Sequence, residues 1–129
     1  MLEGEMITAI GIVCKDIEQT IKFYEYLGLS FKQIGGPDHF ETYNNKAFKV
    51  MLDSEHLIKQ LYPSWQRQHN QNVSLCFELK EPEKVDQIFS DLIECGGVAI
   101  KKPWDAFWGQ RYASLLDPNS NQIDLYAAL

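Results

Sequence analysis

The sequence is short of basic side chains, of cysteine and of long apolar runs. Lysine and arginine number 12 against 18 aspartates and glutamates, giving a net charge of −6 and a pI near 5.0. Nucleic acid calls for a basic face, and no run of lysine or arginine supplies one, so no nucleic-acid partner is expected. Cys14, Cys76 and Cys95 are odd in number, widely spaced and without a C-x-x-C. They fit reduced thiols better than a disulfide scaffold or a zinc ribbon. No apolar stretch approaches the roughly 20 residues that span a bilayer, so no membrane partner is expected either. Met1 to Glu5 is acidic and lacks the basic segment of a secretory leader, which makes the cytoplasm the expected location.

Other chemistry is missing too. His39, His56 and His69 fall in turns or connections, and no H-x-H or H-E-x-x-H spacing occurs. Nothing near Cys76 marks it as an activated thiol. Gly35-Gly36 and Gly96-Gly97 read as punctuation rather than as a phosphate loop. No catalytic residue is assigned.

What is present is an ordinary globular chain, 129 residues with 45% hydrophobic content, of a length that suits one domain or two small halves sharing a core. Met6–Val13 is a β-branched run of strand length. Asp16 can cap a helix in which Ile17, Ile21 and Tyr24 share one face and which Gly28 ends. Leu29–Ile34 reads as a strand, Gly35–Asp38 as a turn, and Phe40–Tyr43 with Ala47–Leu52 as a hairpin. From Asp53 to Gln71 the pattern is that of a connection, with a helical turn near Glu55–Gln60.

The pattern then repeats. Val73–Leu79 is a strand, and Glu83–Cys95 a helix whose Val85, Phe89, Leu92 and terminal Gly96 keep the spacing of Ile17, Ile21, Tyr24 and Gly28. Val98–Lys101 is a short strand. Phe107–Leu116 and Gln122–Tyr126 flank the turn Asp117-Pro118-Asn119-Ser120-Asn121, where proline presets φ and Asx side chains bond back to the chain. The expected fold is therefore α+β: two βαβββ modules, about 5–62 and 71–129, in a single domain spanning 1–129. Each sheet has one face for its helix, so the two would form a curved mixed sheet with helices on the convex side and a cleft on the other. The pattern leaves open whether the half-sheets pair within one chain or across two.

Two stretches, I-G-I-V-C-K-D-I-E-Q-T-I-K-F-Y-E-Y-L-G-L at 10–29 and P-W-D-A-F-W-G-Q-R-Y-A-S-L-L-D-P-N-S-N-Q-I-D-L at 103–125, resemble the vicinal oxygen chelate superfamily. That superfamily includes glyoxalase I, extradiol dioxygenases, fosfomycin-modifying enzymes and bleomycin-resistance proteins. The resemblance implies a divalent metal in the enzymes, with ligand positions falling on Ala9, on Met51 or Leu52, on Asn72 and on Asp124. Alanine offers no donor atom, and a thioether is too soft for a hard ion. The chain thus looks most like the metal-free bleomycin-resistance members, which bind drugs in clefts at a homodimer interface.

Strand alternation gives a separate view of the cleft. It sends Ile10 and Ile12, with Val73, Leu75, Phe77 and Leu79, to the helix side. Ala9, Gly11 and Val13, with Asn72, Ser74, Cys76 and Glu78, face the cleft. The candidate ligand-binding residues are Trp104, Trp108 and Tyr112 for aromatic area, Asp124 and Asn72 as polar groups, Arg111 for an anion, Trp65 as a lid and Phe40 on a first-half cleft strand. For each there is a plainer reading: core packing for the aromatics, a hydrogen-bonded carboxylate for Asp124, an internal ion pair for Arg111, a linker anchor for Trp65.

Three functions compete. The first is a metal-free homodimer that binds a planar or amphipathic small molecule, antibiotics included, and needs no cofactor. The second is a divalent-metal lyase, isomerase or thiol transferase with atypical ligands from Asp124, Asn72 and His56 or Glu55. The third is a regulatory or structural domain with a vestigial cleft.

Overall fold

Two amphipathic segments of matching spacing become the two longer helices, and each lies against its own four-stranded sheet. The computed structural model describes residues 3–68 and 72–129. The first half runs β1 (Ala9–Cys14), α1 (Ile17–Glu25), β2 (Phe31–Gln33), β3 (His39–Thr42) and β4 (Lys49–Ser54), followed by α2 (Glu55–Leu61). The second runs β5 (Ser74–Glu78), α3 (Pro82–Glu94), β6 (Val98–Ala106), β7 (Gln110–Leu116) and β8 (Gln122–Ala128). Strand order is β1-β4-β3-β2 in one sheet and β5-β8-β7-β6 in the other, the same order twice. β1 pairs parallel with β4 and β5 with β8; the remaining pairs are antiparallel. This is the α+β fold of two βαβββ modules that the repeat predicts.

One hydrophobic cluster serves both halves. Phe23 and Tyr24 from α1 and Val85, Phe89 and Leu92 from α3 are buried with Ile12, Val50, Leu52, Leu115, Ile123 and Leu125 from the strands. Each such side chain contributes about 1.5–3 kcal/mol by leaving water. Asp16 caps α1, accepting a hydrogen bond from the Gln19 backbone N–H at 3.1 Å.

A polar knot ties the two conspicuous sequence stretches together. The Tyr24 hydroxyl donates to Asp117 Oδ2 at 2.6 Å, and Asn119 Nδ2 donates to the Thr20 hydroxyl at 2.9 Å. The Lys15 backbone N–H donates to Asn119 Oδ1 at 2.9 Å. Asp117 also receives the backbone N–H groups of Asn119 and Asn121, each at 2.8 Å, and the Asn121 side-chain amide at 3.1 Å. Burial first, and then the Asp117 charge and hydrogen bond, push the Tyr24 phenol well above its ordinary pKa.

Several boundaries differ from the sequence reading. β1 starts at Ala9 rather than Met6, because its partner β4 starts at Lys49, opposite Ala9; Met6 and Ile7 remain exposed. Val73 likewise precedes β5 and is exposed instead of facing the helix. The expected helical turn is a full helix, α2, because Ser54 Oγ caps it through the Leu57 N–H at 3.0 Å. β6 extends to Ala106 in spite of Pro103, since an edge strand with register shifts tolerates a missing N–H. Phe107–Gly109 is then a turn rather than strand, with Gly109 at φ 92°.

Candidate functional site

The faces turned away from the helices carry the candidate chemistry, and the strand registers lay it out in rows. On the second sheet one row reads Cys76, Asp124, Ser114, Lys101 and the next Glu78, Tyr126, Tyr112, Trp104. On the first sheet the rows are Gly11, Met51, Glu41, Lys32 and Val13, Asp53, His39.

Trp108 is the hub of the aromatic wall. Its ring meets Trp104 at 5.5 Å, Tyr112 at 5.4 Å and Phe107 at 5.0 Å between centroids, all edge to face. Tyr112 stacks on Tyr126 at 6.0 Å with the planes 18° apart. The tight turn at Gly109 lifts Trp108 out of the strands, so that it stays 48% exposed, and its indole N–H donates to Gln110 at 2.8 Å. The Lys101 ammonium lies 4.1 Å from the centroid of Trp104.

Asp124, 7% exposed, is a hydrogen-bonded carboxylate. Tyr112 donates to its Oδ2 at 2.7 Å; Ser114 and Gln122 donate to its Oδ1 at 2.9 and 3.1 Å. Burial, then this bond to Asp124, drive the Tyr112 phenol far above its ordinary pKa, so the hydroxyl stays a donor.

The first sheet holds a charged cluster. His39 Nδ1 lies 2.5 Å from Asp53 and Nε2 2.8 Å from Glu41, which also takes the Lys49 ammonium at 3.2 Å. Carboxylates only accept, so both ring nitrogens donate and the ring is imidazolium. Burial lowers the His39 pKa, but the hydrogen bonds to Glu41 and Asp53, with their charges, outweigh it and the net direction is upward. A raised folded-state pKa stabilises most below the unfolded value of about 6.5 and stops doing so above the folded one. Accordingly, the melting-temperature advantage of the native chain over His39→Gln should be largest near pH 6 and shrink toward pH 9. A constant difference across that range would refute the assignment.

A sequence model of the Glyoxalase/Bleomycin resistance protein/Dioxygenase superfamily matches residues 6–125. The chain belongs to that superfamily. Solved structures agree on the fold. A glyoxalase/bleomycin resistance protein/dioxygenase family enzyme from Burkholderia phytofirmans superposes with TM-score 0.78 at 22% identity, over 95% of this chain and 98% of its own. A glyoxalase-related enzyme from Fulvimarina pelagi gives 0.79 at 14% identity, over 95% and 88%. A hypothetical protein from S. aureus gives 0.77 at 17% identity, over 99% and 96%. No match was found among curated proteins.

The positions that hold metal in the superfamily's enzymes make a poor donor set here. Register puts Met51 on the cleft face, and its methyl is the nearest atom to the side of Gly11, at 4.0 Å from a Cβ built there. Leu52, the other candidate, is fully buried in the core. Ala9 has no donor, which leaves Asp124 as the one carboxylate of the set. Glu55 is held by Arg67 at 2.7 Å, and His56 lies 3.2 Å from Gln60. Among the described residues no group of three or more His, Cys, Asp and Glu is placed to share an ion; His69 lies outside them.

Of the candidate residues, Trp104, Trp108, Tyr112 and Asp124 come together as one surface. Four do not join it. Arg111 alternates to the helix side and pairs with Asp86 at 3.0 Å and Asp105 at 3.1 Å. Phe40 packs on the core opposite Leu52, because His39 and Glu41 take the cleft side of β3. Trp65 stacks with Arg67 at 5.4 Å, and Arg67 donates to the backbone oxygens of Val13 (3.1 Å) and Asn119 (3.4 Å), which anchors the connection to both halves. Asn72 borders a hollow of about 370 Å³ with Gly11, Val73 and Gln122, between β1 and β5. Another, of about 400 Å³, lies along the same seam by Ile10, Ser74 and Cys76. Neither is lined by Trp104 or Trp108, whose wall is an open face.

Sequence reading missed Ser114, Lys101 and the His39 cluster. Ser114 shares the alternation of Tyr112 and could have been found from it. The others depend on which residues of β3 face β4 and on the register shifts of β6.

Proposed function

We propose that this protein is a metal-independent small-molecule-binding protein that holds a planar ligand against its aromatic wall and acts as a cytoplasmic homodimer. The observation that carries the reading is Trp108: a half-exposed indole in edge-to-face contact with three other rings. An indole face kept out of the core but in contact with neighbouring rings and hydrogen-bonded to Gln110 is contact area for a flat ligand at low entropic cost. Because the wall is open in one chain, a second copy would enclose it; antibiotics with fused rings are among the ligands such a cleft fits. No described helix is long and apolar enough to cross a membrane. The donor set at Ala9, Met51, Asn72 and Asp124 speaks against the metal-dependent reading.

The deciding experiment is metal analysis by inductively coupled plasma mass spectrometry after exposure to nickel, zinc and manganese, followed by a ligand screen on tryptophan fluorescence. No stoichiometric metal and saturable quenching are expected. A metal held one per chain would overturn the reading in favour of a lyase, isomerase or transferase. No quenching by any planar compound would leave the cleft vestigial and overturn it as well.

A further inference from the structure

Among the described residues, two carboxylates of the second half are buried without a basic partner, and they differ in their hydrogen bonds. Asp117 receives four hydrogen bonds, two on each oxygen. That fills the lone-pair positions of a carboxylate, so Asp117 is complete within the fold. Asp124 receives three, two on Oδ1 and one on Oδ2, all from neutral groups. Among the described residues no lysine, arginine or histidine pairs with it, whereas Glu41, Asp53, Glu55, Asp86 and Asp105 each have a basic partner. A buried carboxylate satisfied by neutral donors alone gains from a cation brought to its remaining acceptor position.

Its neighbours across the strands are small or movable. Directly across from Asp124 on β5 is Cys76, a small and exposed residue. On the other side Lys101 stands opposite Ser114, one of the donors to Asp124, yet its ammonium lies over the Trp104 ring at 4.1 Å instead of reaching the carboxylate. The aromatic wall therefore already holds a cation, supplied by an exposed and flexible side chain that an incoming cation can displace.

We infer that the ligand of this cleft is an aromatic cation: a flat ring system bearing a protonated amine or amidinium, with the ring against Trp108 and the charge directed to Asp124 Oδ2, displacing Lys101 from Trp104. This rests on the aromatic-cleft reading above and narrows it to one charge class. The acidic balance of the chain, −6, favours approach of the same sign of ligand.

Three probes of one shape separate the possibilities by calorimetry: aminoacridine, protonated at neutral pH; uncharged acridine; and acridine carboxylate. Aminoacridine should bind at least about tenfold more tightly than acridine, the ratio that one charge-assisted hydrogen bond supplies, and the carboxylate least. Asp124→Asn, which keeps the shape but has one acceptor oxygen in place of two and no charge, should erase that preference. Lys101→Met, at an exposed position, should raise affinity for aminoacridine severalfold by removing the competing ammonium, and raise it more than it raises the affinity for acridine. Equal binding of the charged and neutral rings would overturn the cation inference while leaving the aromatic cleft standing. Absence of binding by all three would overturn the cleft reading, and the inference with it. If Asp124→Asn fails to fold, the Lys101→Met comparison decides alone, and no gain in aminoacridine affinity refutes the proposal.

Discussion

Asp117→Ala should cost about 3–5 kcal/mol of stability, close to the loss seen when a buried charged partner is removed and its donors are left unpaired. The substitution strips the acceptor from the Tyr24 hydroxyl, the Asn121 side chain and two backbone N–H groups. Tyr24 and Asp117 are almost wholly buried, so water does not replace the lost bonds cheaply. Against a total of about 5–15 kcal/mol for a domain this is a large fraction. Tyr24→Phe removes one donor and leaves three on the carboxylate; its cost should be about 1–2 kcal/mol. Urea unfolding of the three proteins tests the ordering. A loss below about 1 kcal/mol for Asp117→Ala would mean the knot is not what joins α1 to the β7–β8 turn.

The second large effect concerns binding. Trp108→Ala should weaken a planar ligand about a hundredfold or more, the scale of a truncated aromatic anchor, while the chain stays folded. Binding should suffer more than folding because Trp108 is 48% exposed and touches its neighbours through ring edges, outside the main core. Arg111→Ala is the matched control. Its guanidinium is engaged with Asp86 and Asp105 on the helix side, so ligand affinity should not change. Calorimetric titration of both variants with aminoacridine, alongside thermal melts, checks the pair. Equal loss in both would mean that the ligand does not rest on the aromatic wall.

Much of this was legible in the residues themselves. Ile17, Ile21 and Tyr24 and their counterparts Val85, Phe89 and Leu92 announced two helices by spacing, and the repeat of that spacing announced two modules. The alternation of Ile123, Leu125 and Ala127 with Gln122, Asp124 and Tyr126 assigned the two faces of β8, and the structure keeps it. Such features are local: a helix face or strand face is set by periodicity within a dozen residues, and the hydrophobic effect then enforces it.

What sequence alone could not determine depends on partners far along the chain. β1 begins where β4 begins, so Met6 and Ile7 stay outside whatever their β propensity. Phe40 and His39 both leave their expected places, since the pairing of β3 with β4 turns Phe40 from the cleft to Leu52 and brings His39 from a turn into the strand opposite Asp53. A register defined by hydrogen bonds between strands moves every side chain to the other face with a shift of one residue. Only the tertiary structure, by pairing Asp117 with Tyr24, Arg111 with Asp86 and Tyr112 with Asp124, showed which polar residues of the 103–125 stretch tie the fold together and which lie on the sheet face turned away from the helix.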